Sequence, residues 1–193
     1  MTSKPRRSTA PSRDAMLEAA MALSRESGWE ALRLRQVAAR LGVPLAVFRR
    51  TYRDQDALAD AWFRRVEVAM LGPYPDGFAD LPPAERATQA MERWFVVAST
   101  ERRTTLDMLK TKLYPSHLHH WVPLVFNLSR LIQWLREAAR LDAGGRQRQI
   151  EEIGLTALFL AALFVWRGDA SVDAARTRHV IRSGAARLFR RLN

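Results

Sequence analysis

Residues 32–58, LRLRQVAARLGVPLAVFRRTYRDQDAL, contain two short helical patterns separated by a Gly-Val-Pro break, with six arginines before the first acid, Asp54. Leu34, Val37, Ala38 and Leu41 fall at i, i+3, i+4 and i+7, the apolar stripe of a helix that stops at Gly42. A second helix is predicted from Pro44 to about Tyr52. On it Leu45, Phe48 and Tyr52 fall on a face expected to meet the core. Ala46, Arg49, Arg50 and Arg53 share the opposite face. Two such helices joined by a glycine-containing turn are the helix-turn-helix unit. A helix with a small residue near its start and guanidinium groups behind it can enter a DNA major groove. Charge and spacing alone leave this open against a solvated arginine face on an ordinary helical hairpin.

Working outward, nearly every segment reads as helix and strand alternation is lacking. Ser12 can cap a first helix carrying Met16, Ala20 and Leu23 on one face and ending at Gly28. A fourth helix is predicted over 55–70. The stretch 71–83, LGPYPDGFADLPP, has four prolines and two glycines and reads as a linker between a small N-terminal bundle and a larger C-terminal one. Further helices are predicted near 84–100, 103–113, 117–141, 146–166 and 172–192, with Pro123 kinking the third of these or marking its start. The expected fold class is all-α. The expected domains are a basic tail (1–12), a helix-turn-helix DNA-binding domain (13–58), and a ligand-binding and dimerisation domain (59–193).

The chain of 193 residues is 48% hydrophobic and 26% charged, which favours a packed core over disorder. It has no cysteine, so disulfide scaffolds and cysteine metal sites are excluded. The formal net charge is +11. Residues 1–53 hold 11 Lys/Arg against 4 Asp/Glu, and the remainder 20 against 16. A basic end on a nearly balanced body points to an N-terminal surface that meets a polyanion. The basic N-terminus has no apolar h-region of a secretory signal, and a cytoplasmic location is expected. The longest apolar stretch, Gly154–Trp166, has 13 residues, shorter than the roughly 20 of a membrane span, and is expected to be a core or interface helix.

Residues 13–63, RDAMLEAAMALSRESGWEALRLRQVAARLGVPLAVFRRTYRDQDALADAWF, resemble the N-terminal domain of the TetR/AcrR family of transcriptional repressors. The first-helix pattern, the Gly28 stop, RQVAARLGV, the Phe48/Tyr52 pair and RDQDALADA all fall in that register. The resemblance implies a homodimer with two helix-turn-helix heads and a C-terminal pocket whose small-molecule ligand releases double-stranded DNA. It implies that Pro44, Leu45, Ala46, Val47, Arg49 and Arg50 face DNA, with Arg53 on the same stripe. Arg33 and Arg35 then lie where backbone phosphates are touched. The chain departs from the pattern at Arg33, where Ser or Thr usually caps the second helix, and at Pro44, where serine is usual. Leu45 replaces a frequent polar residue, and Arg49 stands where a tyrosine is common. Leu45 and Val47 leave few hydrogen-bonding groups for base edges. Two segments, SGWEALRLRQVAARLGV and WRGDASVDAARTRHVIRSGAARLFRRL, are also similar to the TetR-like accessory family of ubiquinone biosynthesis, which implies the alternative of an isoprenoid-lipid binder without DNA binding.

The two last helices are expected to pair with their copies in a second chain, because 154–166 is apolar nearly all round; burial within the monomer is the other reading. Trp94, Phe95, Leu109, Trp121, Phe126, Leu131 and Trp134 lie on the helices that enclose a pocket in the resembled family. Each is a candidate contact for an apolar or aromatic effector, or plain core. Thr111, His117 and Asn127 are candidate polar anchors. His117 and His120 stand at i, i+3 in HLHH, but no carboxylate is near in sequence, and hydrogen bonding is favoured over metal. No G-x-S-x-G, P-loop or G-x-G-x-x-G pattern occurs, and Asp107, Glu151 and Glu152 form no recognisable acid–base pair. The chain is therefore expected to be no enzyme and to need no cofactor.

Overall fold

The computed structural model describes residues 11–112 and 118–192, the side chains of 118–126 excepted. The described residues form helices without strands: α1 (Arg13–Ser27), α2 (Leu34–Arg40), α3 (Leu45–Thr51), α4 (Gln55–Met70), α5 (Pro83–Thr100), α6 (Arg102–Lys112), α7 (Leu118–Ala138), α8 (Gly145–Trp166) and α9 (Ala175–Arg190). Single 3₁₀ turns occupy Phe78–Asp80 and Val172–Ala174. His117 and the metal question at HLHH lie outside the described residues. The start of α7 at Leu118 means that Pro123 does not begin the helix.

Local chemistry sets the boundaries. The Ser12 hydroxyl accepts from the Ala15 N–H at 3.1 Å and caps α1. Gly28 ends it with φ 86°, a left-handed conformation that a side chain would disfavour. The Arg33 side chain has no acceptor with which to cap α2. Gln36 supplies the other half of a capping box, its Oε1 accepting from the Arg33 N–H at 3.2 Å. Pro44 opens α3 without a side-chain cap, as its chemistry requires.

The molecule divides into two compact units. The first contains the described residues up to Arg64 together with Arg103–Thr111. Its core holds Met16, Leu17, Met21, Trp29, Val37, Phe48, Tyr52, Leu58, Trp62 and Met108. Two buried threonines of α6 complete it. Thr104 accepts from the Ser24 hydroxyl at 3.2 Å, and Thr105 from the Trp62 indole N–H at 2.9 Å. The second unit contains Arg65–Arg102 and the chain from Lys112 onward. The division falls inside α4 and not at the proline-rich segment, which is a packed part of the larger unit. Phe78 is buried there, its ring stacks on Tyr74 at 3.9 Å, and the Arg93 guanidinium lies over Tyr74 at 3.9 Å. The turn chemistry of proline and glycine is legible in the sequence; this aromatic anchoring is not.

In the larger unit α9 packs along both α8 and α5. Leu155, Leu158, Phe159, Ala162 and Trp166 of α8 are buried. Arg136 and Glu151, both almost fully buried, form an ion pair at 3.0 Å, and Arg136 also donates to the carbonyls of Leu141 and Ala143. Glu151 is thus a structural partner of arginine and not an acid–base group. By length and composition α8 is apolar enough to cross a membrane, although 33% of its most apolar window is buried.

Candidate nucleic-acid interface

Helix α3 is anchored through one face. Phe48 and Tyr52 are buried with ring centroids 5.9 Å apart. The Tyr52 hydroxyl donates to the Arg13 carbonyl at 3.1 Å, and burial, only partly offset by Arg13, raises its pKa. This fixes the rotation of α3 and turns Ala46, Arg49, Arg50 and Arg53 outward, where all four are exposed.

Leu45 does not join the core face expected for it; it is 50% exposed. The reason is position. Helical side chains lean towards the N-terminus, so a first-turn leucine reaches past the end of a seven-residue helix instead of down onto its support. With Leu34 of α2, Ala46, Phe48 and Arg49 it lines an apolar recess of about 330 Å³. The sequence pattern places Leu34 on an apolar stripe and no more. Its role at this recess depends on the α2–α3 contact, which no local pattern encodes.

The six arginines of the 32–58 stretch separate into two groups. Arg33 donates to the carbonyls of Glu30 and Leu32 at 2.9 and 3.0 Å. Arg40 pairs with Glu26 at 2.7 Å, and Arg53 with Asp54 at 2.7 Å. The Asp54 hydrogen bond and charge raise the Arg53 pKa further. Asp54 also caps α4, its Oδ1 accepting from the Ala57 N–H at 2.8 Å. Arg35, Arg49 and Arg50 are exposed and make no hydrogen bond or ion pair with any described residue. Pro44 is exposed and Val47 half-buried. Of the predicted contacts, Ala46, Arg49, Arg50 and Arg53 are turned outward on one face of α3, and the donors of Arg35, Arg49 and Arg50 are open to an external acceptor.

The described candidates for effector contact lie in several surroundings. Trp94 and Phe95 lie in a closed aromatic cluster with Phe159 and Trp166, ring centroids 4.9–6.5 Å apart. Leu131 is buried, Trp134 is 46% exposed, and Leu109 is half-buried in the smaller unit. The side chains of Trp121 and Phe126 lie outside the described residues. A recess of about 520 Å³ in the larger unit lies between the proline-rich segment and the end of α7, near Tyr74, Phe78, Glu137 and Arg140. None of the five whose side chains are described lines it.

An all-helical chain with a surface-presented helix-turn-helix defines a class, helix-turn-helix proteins with an appended helical body. Comparison with solved structures narrows it. The chain is similar to the TetR transcriptional regulator from Nitrosomonas europaea ATCC 19718, with 36% sequence identity, coverage of 92% of this chain and 97% of the other, and a TM-score of 0.80. It shares its fold with a TetR transcriptional regulator from Rhodococcus sp. RHA1 at 19% identity, covering 92% and 94%, with a TM-score of 0.67. A TetR family regulator from Thermus thermophilus matches at 16% identity, covering 91% and 97%, with a TM-score of 0.55. No protein-family model and no curated protein sequence matches the chain. The chain belongs to the TetR family of transcriptional regulators, a family of regulators and not of enzymes.

Proposed function

We propose that this chain is a cytoplasmic transcriptional repressor that binds a palindromic DNA operator as a homodimer and is released by a small apolar or aromatic effector. The observation that carries the DNA reading is that Arg35, Arg49 and Arg50 are exposed on the two helices of the helix-turn-helix with no described intramolecular partner. Arginines that serve the fold are satisfied internally, as Arg136 is; these three are not, and they suit phosphate oxygens or guanine edges. Pro44, Ala46 and Val47 bring the backbone close to the groove, and Arg33 and Arg53 flank it.

The dimer reading rests on α8. Ile153, Ala157, Leu160, Ala161 and Phe164 are exposed along one side of that helix, with Ile153 at 71% and Phe164 at 64%. A contiguous apolar face of this kind is an association surface. The side chains proposed to meet the effector are those of α7, Trp121, Phe126, Leu131 and Trp134.

Fluorescence anisotropy with the DNA upstream of the chain's own gene tests the reading. Affinity is expected to fall steeply with salt. Arg49→Ala/Arg50→Ala should weaken binding across sequences and make the salt slope shallower by about 2 per head, from the release of about one counterion per phosphate contact. Binding that ignores salt, or a double variant equal to wild type, would refute it.

A further inference from the structure

The apolar recess at the mouth of the helix-turn-helix is out of character with the surface around it. Leu34, Leu45, Ala46 and Phe48 line it together with Arg49, the one charged residue among these five. Leu45 is half exposed at the first turn of α3, where a DNA-entering helix comes nearest the bases. Phosphates, sugars and most base edges offer this recess nothing, since they demand hydrogen-bonding groups. The major groove presents one apolar group, the C5-methyl of thymine. Arg49 lines the recess with no described partner for its guanidinium, and the exposed Arg50 follows it on the same helix, which favours a polyanionic occupant over a neutral apolar ligand or a protein partner.

We propose that Leu34, Leu45 and Ala46 form a thymine-methyl reader, taking the C5-methyl group of one thymine in each half-site while Arg49 and Arg50 hold the neighbouring polar groups. This inference rests on the DNA-binding reading and goes beyond it by naming what sets the sequence preference. Specificity at that position comes from a methyl group and not from a hydrogen bond.

The probe is a duplex selected by the full chain from a random-sequence library, resynthesised with deoxyuridine replacing one thymine at a time. Uracil pairs as thymine does and lacks only the methyl. At one position per half-site, anisotropy is expected to show binding about fourfold weaker per methyl removed, the effect of exposing one buried methyl-sized group. Leu45→Ala should bind thymine and uracil duplexes equally while keeping the wild-type salt slope, because the phosphate contacts remain. The inference is overturned if wild type tolerates uracil at every position, or if Leu45→Ala keeps the same thymine preference. Salt-dependent binding with no methyl effect removes this inference and leaves the DNA reading standing. Failure to select any duplex removes both.

Discussion

Asp169 is a buried carboxylate that no sequence motif marks, and it organises the start of α9. Its Oδ2 accepts from the N–H and the hydroxyl of Thr177, at 2.8 and 2.7 Å. Its Oδ1 accepts from the N–H of Ser171 at 3.0 Å and from the Ser171 hydroxyl. Ser171 in turn accepts from the Arg176 N–H at 3.2 Å. Two orphan donors of the first helical turn are thus satisfied from upstream, which offsets the left-handed backbone of Asp173 and Ala174, with φ of 49° and 52°. Burial pushes the carboxyl pKa up, but the four hydrogen bonds outweigh burial and hold it well below the usual carboxylate range. A carboxyl depressed in the folded state contributes stability above its unfolded pKa of about 3.9, and that contribution is lost as pH falls towards the folded value. Asp169→Asn, which replaces one acceptor oxygen by a donor, is expected to lose about 2–4 kcal/mol at neutral pH. In urea unfolding the gap to wild type should narrow as pH falls from about 5 towards 2; a gap independent of pH would refute the account. At this scale the outward set Ala46, Arg49, Arg50 and Arg53 is legible in the sequence, because the helical period alone fixes it once Phe48 and Tyr52 are known to be inside. Leu45 is not, because a period says nothing about where the supporting surface ends. Asp169 is not either, because its partners lie across a turn whose left-handed residues are neither Gly nor Asn.

The helices themselves are legible for the reason that Leu45 is not: caps, glycine stops and apolar stripes are local. What escapes is the assignment of helices to units. Helix α6 supplies Thr104, Thr105 and Met108 to the core of the smaller unit, and Lys110 pairs with Glu30 at 3.1 Å. These contacts cross 43 to 80 residues of chain and leave no mark on the sequence of α6 alone. The contact between α8 and α9 has the same character. A Cβ on Gly154 would lie 2.4, 2.9 and 3.2 Å from the two methyls and the Cγ of Leu188. A Cβ on Gly184 would lie 2.2 Å from one Leu158 methyl, with the rest of that side chain at 3.4 Å. Each helix therefore inserts a leucine into a glycine notch of the other. Alanine normally strengthens a helix by about 1 kcal/mol over glycine. Here Gly154→Ala is expected to destabilise by about 1–3 kcal/mol, because the whole end of Leu188 must move. Gly184→Ala should cost less, since turning one Leu158 methyl relieves the clash. Thermal unfolding of the two variants, with Leu188→Ala added to the first, checks this; a stabilised Gly154→Ala would show that the notch is not tight.

At the scale of the whole molecule the sequence of α8 reads as apolar all round, which is compatible with a core helix or an interface helix. In the fold the helix has a buried side and an exposed side. Leu155, Leu158, Phe159, Ala162 and Trp166 point inward, and Ile153, Ala157, Leu160, Ala161 and Phe164 remain exposed. A buried apolar side chain is worth about 1.5–3 kcal/mol relative to an exposed one, so a second copy covering this face gains from several such residues at once. Leu160→Asp/Phe164→Asp puts two charges on the exposed face and touches none of the inward residues. Sedimentation should report a dimer for wild type and a monomer for the variant, while circular dichroism stays unchanged. The loss should reach DNA binding although α8 lies far along the chain from α3. A dimer engages two half-sites with the second contact made at high effective concentration; a monomer keeps one head and about half of the salt slope. Wild-type dimers that survive both aspartates, or a monomer that binds its duplex as tightly as the dimer, would show that this face serves another purpose.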